Sequence, residues 1–458
     1  MNRSIGLFTL AVLVYANAPL RSWAQDEVSV TTDTLSISLQ DAIKISLEEN
    51  PSIIVADKEI VIKKESRKEA YSGLFPEANI SAGFNRTLKK QTMVMDFGGQ
   101  SQTIQVGSDN SYNGGINISL PLFAPALYKS INLSKTDVDL AVEKSRASKL
   151  DLINQVSKAY YQLMLSQDSY NVILQSYEQA KENYRVISAK YEQGSVSEYD
   201  KIRAEVQMRS LNPNVIAARN AISLSAMQLQ VLMGMDTSTP IKVKGSLKDY
   251  EMELFKRMAP PEVDLSNNSD LKQMDLNEKS LKNTVSLQKS NLLPTLSLAF
   301  NYTYTSLNND FKFSEYRWFP YSMIGFQLNI PIFRGSNFTK IKKARLQLDQ
   351  LKDTRLNTER QLKMQATSYL NSMEASTEQV VSNRENIVQA EKGRSIARKR
   401  YEVGKGTIIE LNDAEVALIQ ARLSYHQSIY DYMVSKVDLE KVLGNGFEEY
   451  LNDNGNEK

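Results

Sequence analysis

Ile118-Ser119-Leu120-Pro121-Leu122-Phe123 returns as Leu328-Asn329-Ile330-Pro331-Ile332-Phe333, with 210 residues between the two prolines (331 − 121). Working outward, the same offset relates Gly194 to Gly404 and Gly234 to Gly444 (404 − 194 and 444 − 234, both 210). Lys190-Tyr191-Glu192 likewise answers Arg400-Tyr401-Glu402. The chain is therefore written twice, and a period this long describes an assembled architecture rather than a pocket. Between Pro125 and Gly194 there is no glycine or proline, and between Gly335 and Gly404 there is only Gly393. These stretches predict helices over about 127–193 and 338–403, each about 100 Å long at 1.5 Å per residue.

Each copy reads helix, strand, strand, long helix, turn, return helix. The first copy takes residues 25–234, with strands at about 77–88 and 112–123 and a return helix at about 197–233. Its opening helical segment, Leu39 to Gly73, breaks at Asn50-Pro51. The second copy takes 268–444, with strands at about 295–305 and 320–333 and a return helix at about 407–443. Residues 235–267 form an inter-repeat equatorial segment, and 445–458 a polar tail. Pro213 falls inside the first return helix and is expected to kink it. Pro76 and Pro294 lie 218 apart (294 − 76), so the loop between the strands is eight residues shorter in the second copy (218 − 210). Ile173, Tyr177, Ala180, Tyr184, Ile187 and Tyr191 form a heptad seam. Ile387, Ala390, Arg394, Ala397 and Tyr401 form a weaker one.

The strands alternate. Ile80, Ala82 and Phe84 oppose Ser81, Gly83 and Asn85, and Ile116, Ile118, Leu120 and Leu122 oppose Asn117, Ser119 and Pro121. In the second copy Leu296, Leu298, Phe300, Tyr302 and Tyr304 share a face, as do Ile324, Phe326, Leu328, Ile330 and Ile332. This pattern suits a half-buried sheet packed on helices, or a barrel with lipid outside and water inside. Trp318, Phe319 and Tyr321 stand where an interfacial aromatic girdle would sit. Four strands cannot close a membrane barrel, for which about eight is the practical minimum. Strands facing lipid would have to be pooled between chains, as eight from two or 12 from three.

Composition narrows the function. Arg3, the apolar run from Ile5 to Tyr15 and Ser22-Trp23-Ala24 form a secretory leader, 1–24, with cleavage expected after Ala24. There is no cysteine, hence no disulfide, thiolate metal site or lipidated cysteine. A net charge of +2 implies no nucleic-acid partner. One histidine, and no nucleophile–base pair or phosphate loop, argue against an enzyme and against any cofactor or metal. His426, among Tyr425, Tyr430 and Tyr432, reads as a packing or surface residue.

The turns between long and return helices are the most specific words: Tyr191-Glu192-Gln193-Gly194-Ser195-Val196-Ser197-Glu198-Tyr199-Asp200 and Tyr401-Glu402-Val403-Gly404-Lys405-Gly406-Thr407-Ile408-Ile409-Glu410. Each places an acid six residues after its glycine (Asp200, Glu410).

With these turns, the duplicated order and the two proline words, nearly the whole mature chain resembles the TolC-like outer membrane factor (outer membrane efflux protein) family. That resemblance implies a fold mostly α with a transmembrane β part: a trimeric 12-stranded β-barrel, four strands per chain, continued by a long periplasmic α-helical barrel. It implies a homotrimer in contact with outer-membrane lipid, a periplasmic adaptor protein, and an inner-membrane transporter of RND, ABC or MFS type. The function implied is the exit duct of a tripartite efflux or type I secretion system, a passive conduit gated at its periplasmic end. The alternative is a periplasmic adaptor with long helical hairpins, which the duplicated strand pairs disfavour. By the same resemblance Gly194, Gln207, Val403 and Gly404 mark tips that contact the adaptor, while Asp200, Tyr401, Glu410 and Asp413 form the gate and constriction. The family's Gln at the second tip is Ala417 here. Its arginine two after the second glycine is Gly406, leaving Lys405 as a substitute.

Overall fold

The structure is a computed structural model and describes residues 35–97, 100–255 and 263–445. The leader with its cleavage after Ala24, the Gly98-Gly99 pair, Pro260-Pro261 and the tail beyond Asn445 lie outside the described residues. In chain order the elements are β1 (Leu35–Ile37), α1 (Leu39–Glu49), α2 (Pro51–Ser72), β2 (Glu77–Arg86), β3 (Gln91–Phe97), β4 (Gln100–Val106), β5 (Asn110–Phe123), α3 (Pro125–Glu192) and α4 (Glu198–Leu232). They continue as β6 (Ile241–Val243), α5 (Glu251–Leu254), α6 (Ser269–Ser290), β7 (Thr295–Asn308), β8 (Phe319–Asn329), α7 (Gly335–Glu402) and α8 (Ile408–Leu443). Both long helices, α3 and α7, have 68 residues, which at 1.5 Å per residue is about 100 Å. α4 runs through Pro213 as one helix.

β2, β5, β7 and β8 form one antiparallel sheet in that order. Its register aligns the alternating residues of all four strands. Ala78, Ile118, Phe300 and Ile324 lie side by side, and so do Asn79, Asn117, Asn301 and Met323. One face is thus nearly all apolar, and in the isolated chain it is bare: Ile80, Ile324 and Phe326 are 84%, 69% and 73% exposed.

The two prolines of the repeated word behave differently. Pro121 is accommodated in β5 at an irregularity of register with β7. Before Pro331, β8 stops at Asn329, shorter than the expected 320–333. Pro331 has no N–H for a ladder, and β8 is the edge of the sheet. The longer loop of the first copy is itself folded, as the β3–β4 hairpin. Phe84, Tyr112, Phe311, Phe313 and Tyr316 cluster at the far end of the sheet, with Phe84–Tyr112 and Tyr112–Tyr316 ring centroids 4.7 and 5.2 Å apart.

The main core lies midway along the helices, at an equator. Tyr160, Leu163 and Met164 of α3 meet Ile429 and Met433 of α8, Leu229 of α4, and Ala42 and Ile43 of α1. The inter-repeat segment closes it: β6 pairs in parallel with β1, and Tyr160 donates to the Lys244 carbonyl at 3.2 Å. A joint repeats here in both copies. Asn50 caps α2 and its amide donates to the Leu232 carbonyl at 2.7 Å, while Asn268 caps α6 and donates to the Val442 carbonyl at 2.7 Å. Against these joints lie Gly234 and Gly444, each with φ of +70°.

This joint separates two glycine effects. Gly194 and Gly444 share a left-handed backbone, but a Cβ on Gly194 meets nothing whereas one on Gly444 falls 2.2 Å from the Asn267 carbonyl oxygen. Gly194→Ala is expected to cost about 1–2 kcal/mol, the left-handed penalty alone. Gly444→Ala should cost distinctly more, read as the drop in thermal unfolding midpoint of each variant against wild type.

Candidate functional site at the hairpin tips

Both tips are built by the same local rules. At the first, Gly194 has φ +70° and the Ser195 N–H donates to the Lys190 carbonyl at 2.8 Å; at the second, Gly404 has φ +72° and the Lys405 N–H donates to the Arg400 carbonyl at 2.8 Å. These are Schellman closures, which only glycine enters without penalty. The return helices then start on hydroxyl caps: the Asp200 N–H donates to Ser197 Oγ and the Glu410 N–H to Thr407 Oγ1, each at 3.2 Å. The acids six residues past the glycines therefore occupy the third helical position, where the positive end of the helix favours a carboxylate. That is a local reason for their recurrence, independent of any gate.

Beyond this frame the tips diverge. Val196 of the first tip packs into a small core, and the matching residue is Gly406. A Cβ there would lie 3.0 Å from Arg400 Cβ and 3.2 Å from the Tyr401 nitrogen, so the second turn is folded tightly onto its own helix. Arg400 profits from this closeness. Its guanidinium donates to the Lys405 carbonyl at 3.2 Å and lies 3.6 Å from the Glu410 carboxylate. The cation that reaches Glu410 is thus Arg400, before the turn, and not Lys405 within it. The first tip is braced otherwise: the Lys201 ammonium sits 4.9 Å from the centre of the Tyr191 ring.

Ile187, Ala204, Ile408 and Leu411 form a buried cluster joining the two tips, with Tyr184, Val196, Ala397 and Tyr401 packed on it. The structure brings Tyr401 and Asp200 close, but not into a hydrogen bond: the Tyr401 hydroxyl is buried and unpartnered. Burial first, and then the charge of Asp200, push it up to about 12. Asp413 and Glu410 are exposed, one helical turn apart. Val403 projects at the end of its hairpin, 68% exposed, and a Cβ on Gly194 or Gly404 would meet open space. Gln207 is placed differently. It is half-buried and lines a cleft between the hairpins with Asn183, Leu211, Asn412 and Glu415.

Glu415 is not legible in the sequence, where Arg394 appears only as a member of the weaker seam. Arg394 occupies a seam position where an apolar residue belongs, and it is 3.2 Å from Glu415 on α8. Burial pushes the Glu415 carboxyl above the ordinary range, opposed by Arg394, Arg398 and Arg422. A charge in a seam marks a partner on the neighbouring helix, but the sequence does not say which acid it is.

The family model described as outer membrane efflux protein matches residues 42–235 and 261–445, which are the two copies. The chain belongs to the outer membrane efflux protein family. Over 436 residues it is 21% identical to the outer membrane protein TolC of Vibrio cholerae, covering 93% of this chain and 96% of that protein. It is 21% identical to the probable efflux pump outer membrane protein TtgC of Pseudomonas putida over 425 residues, 90% of this chain and 84% of the other. The crystal structure of the Campylobacter jejuni CmeC outer membrane channel superposes with a TM-score of 0.72 at 19% identity, covering 91% of this chain and 89% of that one. As an outer membrane efflux protein the chain is a channel component of the outer membrane, extending into the periplasm. The adaptor alternative is set aside by this membership.

The caps are testable without reference to transport. Ser197→Ala and Thr407→Ala should each destabilise their tip by about 1 kcal/mol. Amide exchange confined to the first turn of the corresponding return helix would register this as roughly fivefold faster local opening.

Proposed function

We propose that three copies of this chain close into a ring that serves as the exit duct of a tripartite efflux or type I secretion system. The observation that carries this reading is a pair of unsatisfied edges running the whole length of the chain. The sheet ends on β2 at one side and β8 at the other. α3 lies among α2, α4, α6 and α8, while α7 lies beside α6 and α8. α2 and α4 thus continue the β2 side, and α7 continues the β8 side. Both sides carry exposed apolar residues: Val55 and Val61 on α2, Ile216, Leu224 and Val231 on α4, and Leu346, Met364 and Val388 on α7. Head-to-tail joining of one side to the other pairs strands with strands and helices with helices, and a rotation that closes needs no further element. Two chains would supply eight strands and three would supply 12; the family resemblance favours three.

In this reading the apolar face of the sheet meets outer-membrane lipid and the helices form the periplasmic duct. The tips face inward, with Gly194, Gln207, Val403 and Gly404 in or beside the contact with a periplasmic adaptor. An inner-membrane transporter of RND, ABC or MFS type supplies the energy, and the duct is passive. Asp200, Tyr401, Glu410 and Asp413 would set the periplasmic mouth. Tyr401, with its unpartnered hydroxyl near Asp200, is a hydrogen bond waiting for a small rotation, worth about 1 kcal/mol when made. A latch of that size, repeated around a ring, is reversible.

Reconstitution into planar bilayers tests the duct: a discrete, stable conductance from a species of trimer mass is expected, and its absence ends the proposal. Glu410→Ala combined with Asp413→Ala should raise conductance and weaken block by a trivalent cation about tenfold, roughly 1.4 kcal/mol. Unchanged block would remove both residues from the mouth.

A further inference from the structure

The end of the sheet away from the helices carries a set of cations that neither the duct nor its mouth uses. β2 has ten residues, Glu77–Arg86, about what a tilted strand needs to cross the hydrocarbon core. Arg86 therefore closes the strand at the outer surface. It continues the alternation of Ile80, Ala82 and Phe84 and is in register with Asn110, so it stands on the apolar face of the sheet. The loop over residues 309–318 joins β7 to β8, yet it folds back across β5 towards β2. The Asn110 amide donates to the Asp310 carbonyl at 2.8 Å, the Tyr316 hydroxyl donates to the same carbonyl at 2.6 Å, and the Asp109 N–H donates to Asn309 Oδ1 at 2.9 Å. These bonds set the Phe311 ring beside Phe84, and the Arg86 guanidinium 5.0 Å from the centre of the Phe311 ring. A guanidinium resting on a ring by its face keeps its N–H edge free. Among the described residues nothing accepts from it. Lys89, shortly after Arg86, and Arg317, next to Tyr316 of the aromatic cluster, are exposed. The nearby acids are engaged elsewhere: Asp109 with Lys90 at 3.2 Å, Asp310 with the Lys312 N–H at 3.2 Å, and Glu315 with the Lys312 ammonium at 4.0 Å.

We propose that Arg86, assisted by Lys89 and Arg317, holds the anionic phosphate of a lipid in the outer leaflet, a site that rests on the reading of the apolar face as lipid-facing. The planar fork of the guanidinium matches two phosphate oxygens, and a charge-assisted pair of that kind is short and strong. Phe311 holds the guanidinium in one place, which lowers the side-chain entropy that binding would otherwise cost. The acyl chains then run along Phe84, Ala82 and Ile80 towards the periplasmic side. Arg86 is thus charged where the membrane is anionic, while the strand below it is apolar where the membrane is hydrocarbon. A lipid bound there fixes the depth of the sheet in the membrane.

Trp318 adjoins Arg317 and is exposed, and with Trp23→Phe it is the only tryptophan of the full-length chain. That protein, in non-ionic detergent micelles, is titrated with phosphatidic acid or phosphatidylcholine carrying brominated acyl chains, which quench tryptophan on contact. Half-quenching is expected at a concentration roughly tenfold lower for phosphatidic acid, whose phosphate is not masked by choline. Arg86→Gln should reduce that preference roughly fivefold, and Arg86→Lys, which keeps the charge but not the fork, should reduce it less. Equal midpoints for the two lipids overturn the phosphate site and leave the lipid-facing reading standing. No quenching by either lipid overturns both. A preference unchanged in Arg86→Gln removes Arg86, and with it the proposal. Inorganic phosphate at millimolar concentration should leave the preference intact, because it lacks the chains that the apolar face receives. Loss of the preference to inorganic phosphate would make this a free-phosphate site and overturn the lipid assignment.

Discussion

A strand edge exposes a row of backbone N–H and C=O groups, and hydrocarbon has nothing to offer them. Each group left unpaired in lipid costs several kcal/mol. The four-stranded sheet of this chain has two such edges, β2 and β8, and one continuous apolar face. α2 and α4 follow the β2 side and α7 the β8 side. The long helices have the same requirement in weaker form. α7 buries few of its 68 residues in the isolated chain, far less than a helix of that length needs for support by packing.

The duplication answers the geometry and also allows the copies to part ways. Where both must hold the equator, they agree: Asn50 and Asn268 make the same bond to the end of a return helix, beside Gly234 and Gly444. Where they meet at the tips, they differ. The first turn is filled by Val196 and braced by Lys201 over Tyr191. The second collapses onto Gly406 and is clamped by Arg400 on Lys405 and Glu410. An exposed ion pair of this kind is worth little in stability, about 0–1 kcal/mol. It does, however, decide where the charge of Glu410 is spent. Asp413 is exposed one turn further on.

Much of the fold was legible because it depends on local rules. Absence of glycine and proline over a long stretch means helix, and glycine in left-handed geometry means its end. The helix expected over about 127–193 is Pro125–Glu192, and that over about 338–403 is Gly335–Glu402. Less legible were features that depend on what lies opposite. The β3–β4 hairpin occupies what the sequence pattern presents as the longer loop of the first copy. β8 stops at Asn329 because its ladder partner β7 begins at Thr295, a limit set by the neighbouring strand that pattern alone does not reveal. At the candidate site the same division holds. Ser197 and Thr407 as caps follow from spacing, whereas the reach of Arg400 to Glu410 needs the tight turn at Gly406.

The sequence by itself determined the duplication, the element order, the alternation of the strands and the chemistry of the turns, because each is a relation between residues close in the chain or repeated at one offset. Only the tertiary structure decided which edges stay open, where Gln207 lies, and which residues Tyr401, Arg394 and His426 come to lie beside. Those are contacts between segments far apart in the chain, such as α3 with α8, where His426 and Asp168 approach to 3.4 Å. No local pattern encodes such a meeting, since burial and charge act through space and not along the chain.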